Sequence, residues 1–219
     1  MIDIFIGIDQ SINSTGISIQ VYDNKLRLEE KFFILTNKTT KKAKEIAESL
    51  NNFEYLYYNK KEKSEAKNNN EFELFKLYNN IEISSIIISL IKQYIQKYAN
   101  LSKVYIGMEG ISYSSSLTKS LIDLSGLSYL IRYNIYLFFK NYKDNDGGLY
   151  IFTPGEIKKF TTGNGNANKD MMVNLFKNLF TELSKLPKID DISDAYWICN
   201  YLKTTIYKNE ENINNDNVL

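Results

Sequence analysis

The chain has 219 residues, with 27 lysines and arginines against 26 acidic residues, a net charge of +1, one cysteine and no histidine. These absences exclude catalytic triads and dyads that use histidine, zinc sites built from histidine or cysteine clusters, and an internal disulfide. Any bound metal must be held by oxygen, which favours Mg²⁺ or Mn²⁺. The length predicts one domain or at most two small ones, and a hydrophobic content of 43% is enough for a packed core.

The chain carries no obvious targeting segment. The lone cysteine fits a reducing compartment, and the first residues lack the basic region of a signal peptide. No uninterrupted apolar run approaches the roughly 18 residues of a membrane span. We therefore expect a cytoplasmic protein without a membrane partner.

Three strand patterns open the chain. Residues 2–9 place isoleucine at every second position, residues 16–22 alternate apolar with polar side chains, and residues 26–35 follow a turn at Asp23-Asn24. We expect an antiparallel meander whose first strand is covered on both faces.

Residues 37–80 differ from their surroundings in composition. They are rich in lysine and asparagine and have few regular apolar periods, apart from short helix-like stretches at 43–50 and 72–78. We expect a polar insertion here.

The rest of the chain alternates helix and strand patterns. In order, these are a helix at 83–98, a strand at 104–109, a helix at 117–139, a strand at 149–152 that Pro154 stops, and helices at 169–183 and 191–206. This order predicts an α/β fold with a mixed five-stranded sheet, made of the meander and two parallel strands, and helices on both faces. We expect one domain over 1–204 and a polar tail over 205–219.

Four carboxylates occupy positions that would bring them together. Asp9 ends the first strand and Glu109 ends the fourth, so both emerge at the same edge if these strands are parallel neighbours. Asp191 and Asp194 are three residues apart at the start of the last helix and share a face. Acids that converge in this way repel one another unless cations lie between them, and two Mg²⁺ ions can promote phosphodiester hydrolysis without histidine.

Each acid alone has an ordinary structural explanation. An aspartate at the end of a strand commonly forms a turn, and Asp191 could simply cap its helix. The joint arrangement is more specific than any one of its members.

Five motifs follow one another along the chain. They are Ile6-Gly7-Ile8-Asp9-Gln10-Ser11 with Ser14-Thr15-Gly16, Glu109 after a strand, Thr153-Pro154 with Glu156-Ile157-Lys158-Lys159, residues 162–169, and Asp191-Ile192-Ser193-Asp194-Ala195. In this order they resemble the motifs of RuvC-type Holliday junction resolvases, which belong to the RNase H-like superfamily. The resemblance covers about residues 3–36 and 81–203.

The resemblance implies an RNase H-like fold and a homodimer that makes paired nicks in four-way DNA junctions, in recombination and repair. It implies Mg²⁺ as cofactor, with Mn²⁺ as a substitute and two ions per active site. Carried over by motif position, the metal-binding catalytic acids would be Asp9, Glu109, Asp191 and Asp194.

A glycine-containing loop near three lysines predicts a phosphate-binding region, because backbone amides and ammonium groups suit phosphate. The residues are Lys158, Lys159, Gly163, Gly165 and Lys169. On loop chemistry alone, an ordinary solvated turn explains the pattern equally well. The resemblance adds that the family's lysines corresponding to Lys158 and Lys169 contact DNA.

The chain also departs from the family pattern. Bacterial relatives carry a wedge aromatic three residues after the glutamate, whereas this chain has Ser112 there and Tyr113 one position later. Tyr113 is therefore the residue to consider for a DNA-contacting wedge. The greater length and the composition rich in lysine and asparagine favour a phage or viral member, acting in the host cytoplasm.

Two other functions stay open from the sequence. An actin/Hsp70-like nucleotide-binding phosphotransfer protein also opens with Gly-Ile-Asp and a polar turn, but that architecture needs two such domains and this chain has one copy. A non-catalytic junction-binding protein would not need all four acids. We expect branched DNA as the partner and no nucleotide cofactor. The helix at 117–139 is the favoured dimer contact, although core packing explains its apolar stripe at least as well.

Overall fold

The computed structural model describes residues 1–98, 102–111, 118–142 and 147–216. The strands of this part of the chain are β1 (Ile2–Asp9), β2 (Ser14–Asp23), β3 (Leu26–Thr36), β4 (Phe53–Tyr57), β5 (Ser102–Glu109) and β6 (Gly148–Phe152). They form one mixed sheet in the order β4-β3-β2-β1-β5-β6. β1, β2 and β3 are antiparallel, whereas β5 runs parallel to β1, β6 parallel to β5, and β4 parallel to β3.

The predicted α/β fold is confirmed, with the meander and two parallel strands that the RNase H-like resemblance implies. The predicted count of five strands is wrong, because the sheet has a sixth strand, β4, inside the segment 37–80. β4 extends the sheet beyond β3, with Phe53 opposite Phe32, and Phe53 is buried. A strand of five residues in a segment rich in lysine and asparagine gives only a short apolar pattern, which composition conceals.

The described residues also form six α-helices. They are α1 (Lys41–Glu48), α2 (Asn69–Lys97), α3 (Lys119–Asn141), α4 (Pro154–Thr162), α5 (Lys169–Leu179) and α6 (Ile189–Asp216). α6 runs without a break through residue 204, where the sequence suggests that the domain ends. The division into a domain over 1–204 and a tail over 205–219 stays a prediction.

The sequence patterns do not predict α4, because Pro154 was expected only to stop the preceding strand. Proline is also favoured at the first position of a helix, where its missing N–H group costs nothing. The backbone N–H of Glu156 donates to the Thr153 hydroxyl, and the Glu156 carboxylate accepts from the backbone N–H of Thr153. This reciprocal capping box begins α4 at Pro154.

The sheet separates two hydrophobic cores. One lies on the face covered by α2 and α3 and includes Ile4, Ile6 and Ile8 of β1. The other lies beneath α5 and α6 and includes Phe5. Successive residues of β1 point to opposite faces, and both faces are buried, as predicted for a strand that is covered on both sides.

α2 is long and apolar. An 18-residue stretch of it has a mean hydropathy of 1.3, so by length and composition alone it could cross a membrane, and 28% of that stretch is buried. A single helix of this kind is weak evidence, because core helices pass the same test. Ile83, Ile87 and Ile91 on one face of α2 belong to the core, which accounts for much of its apolar character.

Two glycines let α6 approach the sheet closely. A Cβ atom on Gly7 would lie 2.1 Å from the carbonyl oxygen of Ala195, and one on Gly16 would lie 2.0 Å from that of Asp191. No side chain fits at these distances. Gly7 in β1 and Gly16 in β2 therefore allow the first turns of α6 to rest directly on the strands, which positions the acidic residues at the start of that helix.

Candidate active site

The four predicted acids lie at one edge of the sheet. β1 and β5 pair in parallel, so Asp9 and Glu109 stand at matching strand ends. Asp191 and Asp194 lie in the first turns of α6, which crosses this edge. The structure thus brings together acids from three elements, and we call these four residues the acid cluster.

Within the acid cluster, Asp9 interacts electrostatically with the other three carboxylates. Burial raises its pKa well above the ordinary value, and the charges of Asp194, Glu109 and Asp191 raise it further. Burial also raises the pKa of Glu109 to about 7, and the charge of Asp194 adds to that effect. Such shifts mean that the acid cluster resists full ionisation.

A buried hydroxyl group holds Asp191. Ser14, at the start of β2 and 4% exposed, donates a hydrogen bond of 2.5 Å to Oδ2 of Asp191. Burial raises the pKa of Asp191, and this hydrogen bond opposes the rise. The Ser14 hydroxyl therefore fixes the orientation of one acid in the cluster.

Lys169, the first residue of α5, forms ion pairs with two acids. Its Nζ atom lies 3.0 Å from Oδ2 of Asp190 and 3.1 Å from Oδ2 of Asp194. Burial lowers the pKa of Lys169, but the carboxylates of Asp194 and Asp190 outweigh it, so the pKa lies above its ordinary value. Burial raises the pKa of Asp194, and the Lys169 ammonium opposes the rise.

Two side chains hold the backbone of Glu109. The Gln10 amide donates from Nε2 to the Glu109 carbonyl oxygen at 3.0 Å, and Arg132 donates from Nη2 to the same oxygen at 3.2 Å. Because these bonds join the residue after β1, and α3, to the end of β5, they fix the position at which the Glu109 side chain begins.

The sequence patterns do not assign a site role to four of these partners: Ser14, Gln10, Asp190 and Arg132. Ser14 and Gln10 lie within the first motif, so their proximity to Asp9 was the available indication. Asp190 precedes Asp191 in the sequence, and no motif singles it out. Nothing in the sequence connects Arg132 to a residue 23 positions earlier.

The predicted DNA-binding residues differ in their location and exposure. Lys158 lines a cavity of about 210 Å³ together with Glu109, Lys169 and Asp194. Lys159, also on α4, is exposed. Tyr113 lies outside the described residues.

Gly163 and Gly165 are each explained by local structure, for different reasons. Gly163 ends α4 in the left-handed conformation, with φ of 78°. A Cβ atom on Gly165 would lie 3.2 Å from the carbonyl oxygen of Gly155, so Gly165 packs closely against the start of α4. Both explanations are compatible with a phosphate-binding loop, which stays a prediction.

The donor set of the acid cluster suits a hard divalent cation. Its side chains offer only carboxylate oxygens, the ligands that Mg²⁺ and Mn²⁺ prefer, and burial followed by mutual repulsion raises their pKa values. In the described ranges, no three acidic residues already form a group that could hold a metal ion. One oxygen of Asp194 is instead engaged by Lys169.

Comparison with known proteins points to one group. Over 71 residues the chain is 34% identical to the crossover junction endodeoxyribonuclease RuvC of Caldicellulosiruptor saccharolyticus, a match that spans 31% of this chain and 42% of that relative. The resemblance to RuvC-type resolvases is confirmed as a sequence similarity. The match covers about two fifths of the relative's length, and no family model matches the chain.

Solved structures of the same kind of protein are more distant. A Thermus thermophilus RuvC structure has a TM-score of 0.47 and 13% identity, with 92% of each chain covered. The yeast mitochondrial Holliday junction resolvase Ydc2 has a TM-score of 0.47 and 14% identity, covering 90% of this chain and 76% of Ydc2. At these values, the description of the fold rests on the strand order and pairing given above.

Proposed function

We propose that the protein is a divalent-metal-dependent, structure-selective DNA endonuclease that resolves Holliday junctions and other branched DNA by paired phosphodiester hydrolysis. The observation that carries the proposal is the acid cluster, in which four carboxylates from β1, β5 and α6 share one edge of the sheet. The sequence similarity to a RuvC resolvase supports the same conclusion.

The residues of the site have separable tasks in this proposal. Asp9, Glu109, Asp191 and Asp194 would hold the metal, for which we propose Mg²⁺, with Mn²⁺ as a substitute and two ions per site. Bound there, the ions would supply an activated water and stabilise the leaving oxygen.

The chain's other groups position these acids and receive the DNA. Ser14 orients Asp191, while Gln10 and Arg132 fix the start of the Glu109 side chain. Lys158, which lines the cavity beside Glu109, would contact a phosphate of the DNA backbone. The proposed setting is recombination or repair of DNA in a cytoplasm, that of a host cell if the protein comes from a phage or virus.

Paired nicks need two active sites, so the proposal includes a homodimer. α3 offers a surface for it, because its buried residues Leu127 and Ile131 serve the core while other apolar side chains of the same helix are exposed. The exposed ones are Ile122, Tyr129, Tyr133 and Tyr136, each more than half exposed. Sedimentation of the free protein should give the mass of two chains, and a monomer in the presence of DNA would contradict this part of the proposal.

The deciding experiment is cleavage of a synthetic four-way junction with Mg²⁺ or Mn²⁺. We expect symmetric nicks from the wild-type protein and a loss of at least about 10³-fold in rate for Asp9→Asn, with junction binding retained. Asp23→Asn is the matched control, because Asp23 lies at the opposite end of the β1–β2 pair.

Other outcomes point to different functions. Equal cutting of linear duplex and single strands would contradict junction selectivity but not the nuclease. Junction binding without cleavage under any metal would indicate a non-catalytic binding protein. Nucleotide-dependent stabilisation without DNA binding would favour the actin/Hsp70-like alternative.

A further inference from the structure

Lys169 occupies an unusual position for a residue expected to contact DNA. Its ammonium group contacts a member of the acid cluster, Asp194, at 3.1 Å and the adjacent Asp190 at 3.0 Å. The side chain is only half exposed, and it lines the same cavity as Glu109. The ammonium group therefore contacts carboxylates, although half of the side chain is exposed.

The backbone keeps Lys169 in this place. Asn168 caps α5 by accepting a hydrogen bond from the Met171 backbone N–H, so Lys169 is the first residue of a defined helix. α5 packs on α6, the helix that carries both aspartates. The packing of α5 on α6 thus positions the Lys169 ammonium beside Asp190 and Asp194.

A divalent ion and this ammonium group would share the Asp194 carboxylate. Asp194 is one of the four proposed metal ligands, and its Oδ2 atom is engaged by Lys169. Two cations at one carboxylate in a partly buried site repel each other. Metal binding to Asp194 therefore weakens its contact with the Lys169 ammonium.

We propose that Lys169 is a tethered counter-ion of the acid cluster, which neutralises Asp194 in the metal-free protein and is displaced when a divalent ion binds. The proposal rests on the proposed metal-dependent function and adds a determinant of its metal affinity. The proposal also gives the side chain two successive roles. Lys169 first neutralises Asp194, and once displaced its ammonium group is available to bind a phosphate in the cavity that it lines with Glu109.

Titration of the DNA-free protein with Mn²⁺ at pH 8 tests this directly. Lys169→Met should bind Mn²⁺ about tenfold more tightly than the wild type, because the competing cation is gone. Lys169→Arg should keep an affinity close to that of the wild type. Lys177→Met is the matched control, since it removes a lysine from the same helix that forms no ion pair with the acid cluster in the described structure, and its affinity should not change.

A second measurement uses the unaltered protein, in case Lys169→Met does not fold. A small amine-reactive reagent, read by mass spectrometry, should modify Lys169 several-fold faster with Mg²⁺ than without it, because displacement frees the amine from its two carboxylate partners. Modification of Lys177 should not respond to Mg²⁺.

The outcomes separate this proposal from the function on which it rests. Equal or weaker Mn²⁺ binding by Lys169→Met, or labelling of Lys169 that does not rise with Mg²⁺, would overturn the counter-ion role while leaving a metal-dependent nuclease intact. Absence of Mn²⁺ binding in both the wild type and the variant would overturn the metal site itself, and the counter-ion role with it.

Discussion

Glu29 and the acid cluster differ in how many hydrogen-bond donors surround their carboxylates. Glu29 on β3 accepts hydrogen bonds from the Tyr94 hydroxyl at 3.1 Å, the Lys97 ammonium at 2.6 Å and the Tyr98 hydroxyl. There, one carboxylate has three donors. In the acid cluster, four carboxylates share the Ser14 hydroxyl and the Lys169 ammonium as their side-chain partners in the described residues.

The pKa values follow this difference. Burial alone would raise the pKa of Glu29, but the hydrogen bonds from Lys97 and Tyr98 outweigh it, and the pKa is lowered. Burial raises the pKa of every member of the acid cluster. A carboxylate whose hydrogen-bond donors lie within the chain stabilises the fold, whereas the acid cluster, which Lys169 compensates only in part, costs stability.

The largest expected difference between the two regions is in how their contributions to stability change with pH. Glu109 has an ordinary pKa of 4.5 and a folded-state pKa of about 7, so its contribution to stability is present below pH 4.5 and is lost as the pH rises through about 7. This difference corresponds to at most about 3 kcal/mol. Thermal unfolding in EDTA should therefore show a midpoint that rises by several degrees between pH 8 and pH 5.5. Glu29, with a lowered pKa, contributes above its ordinary pKa and loses that contribution only as the pH falls below it.

Glu109→Gln is the control for this pH effect, because Asp3 and Glu30 also have pKa values raised by burial. The variant should have a shallower pH dependence than the wild type, and Mg²⁺ should flatten the wild-type dependence by compensating the ionised cluster. A slope that Glu109→Gln leaves unchanged would mean that the cluster is not its source.

Neutralising one acid in each region should shift stability in opposite directions. Without metal at pH 8, Asp9→Asn should stabilise the protein by about 1–2 kcal/mol, since it removes a carboxylate that the fold does not compensate. Glu29→Gln should destabilise it by a similar amount, because charge-assisted hydrogen bonds are lost. Thermal unfolding with and without Mg²⁺ measures both, and Mg²⁺ should stabilise Asp9→Asn much less than the wild type. Destabilisation by both substitutions would contradict the distinction drawn between the regions.

The sequence suffices to predict the edge at which the acids lie. Isoleucine at alternate positions marks β1, and Asp9 and Glu109 each end a strand, so parallel pairing of those strands leaves them one edge to share. The spacing of Asp191 and Asp194 places both on one turn of a helix. These are local patterns whose consequences follow from the regular geometry of helices and strands.

Two kinds of feature cannot be predicted from the sequence. One is a residue whose local pattern fits two structures, and the other is a contact between residues far apart in the chain. Pro154 suits both the end of a strand and the start of a helix, and the capping box of α4 decides between them. The Ser14–Asp191 hydrogen bond joins residues 177 positions apart. It requires α6 to lie on β2 at the distance that Gly16 permits, and no pattern within either segment indicates that approach.

The smallest expected effect concerns that same hydrogen bond, and it sharpens the comparison because the acid cluster has few side-chain partners and Ser14 is its hydroxyl donor. Ser14→Ala removes the donor that orients the Asp191 carboxylate, and losing the orientation of one of four ligands is expected to cost about 1 kcal/mol, the low end for a hydrogen bond. We therefore expect Mn²⁺ affinity to fall about fivefold in a DNA-free titration.

Ser128→Ala is the control for Ser14→Ala, since Ser128 on α3 is equally inaccessible and its hydroxyl has no hydrogen-bond partner within the described structure. It should leave Mn²⁺ affinity unchanged, because no proposed metal ligand depends on it. If Ser14→Ala bound Mn²⁺ as tightly as the wild type, Ser14 would serve only to satisfy a buried carboxylate, as the donors around Glu29 do. A loss confined to Ser14→Ala would instead show that the few donors within the cluster orient its acids for a cation.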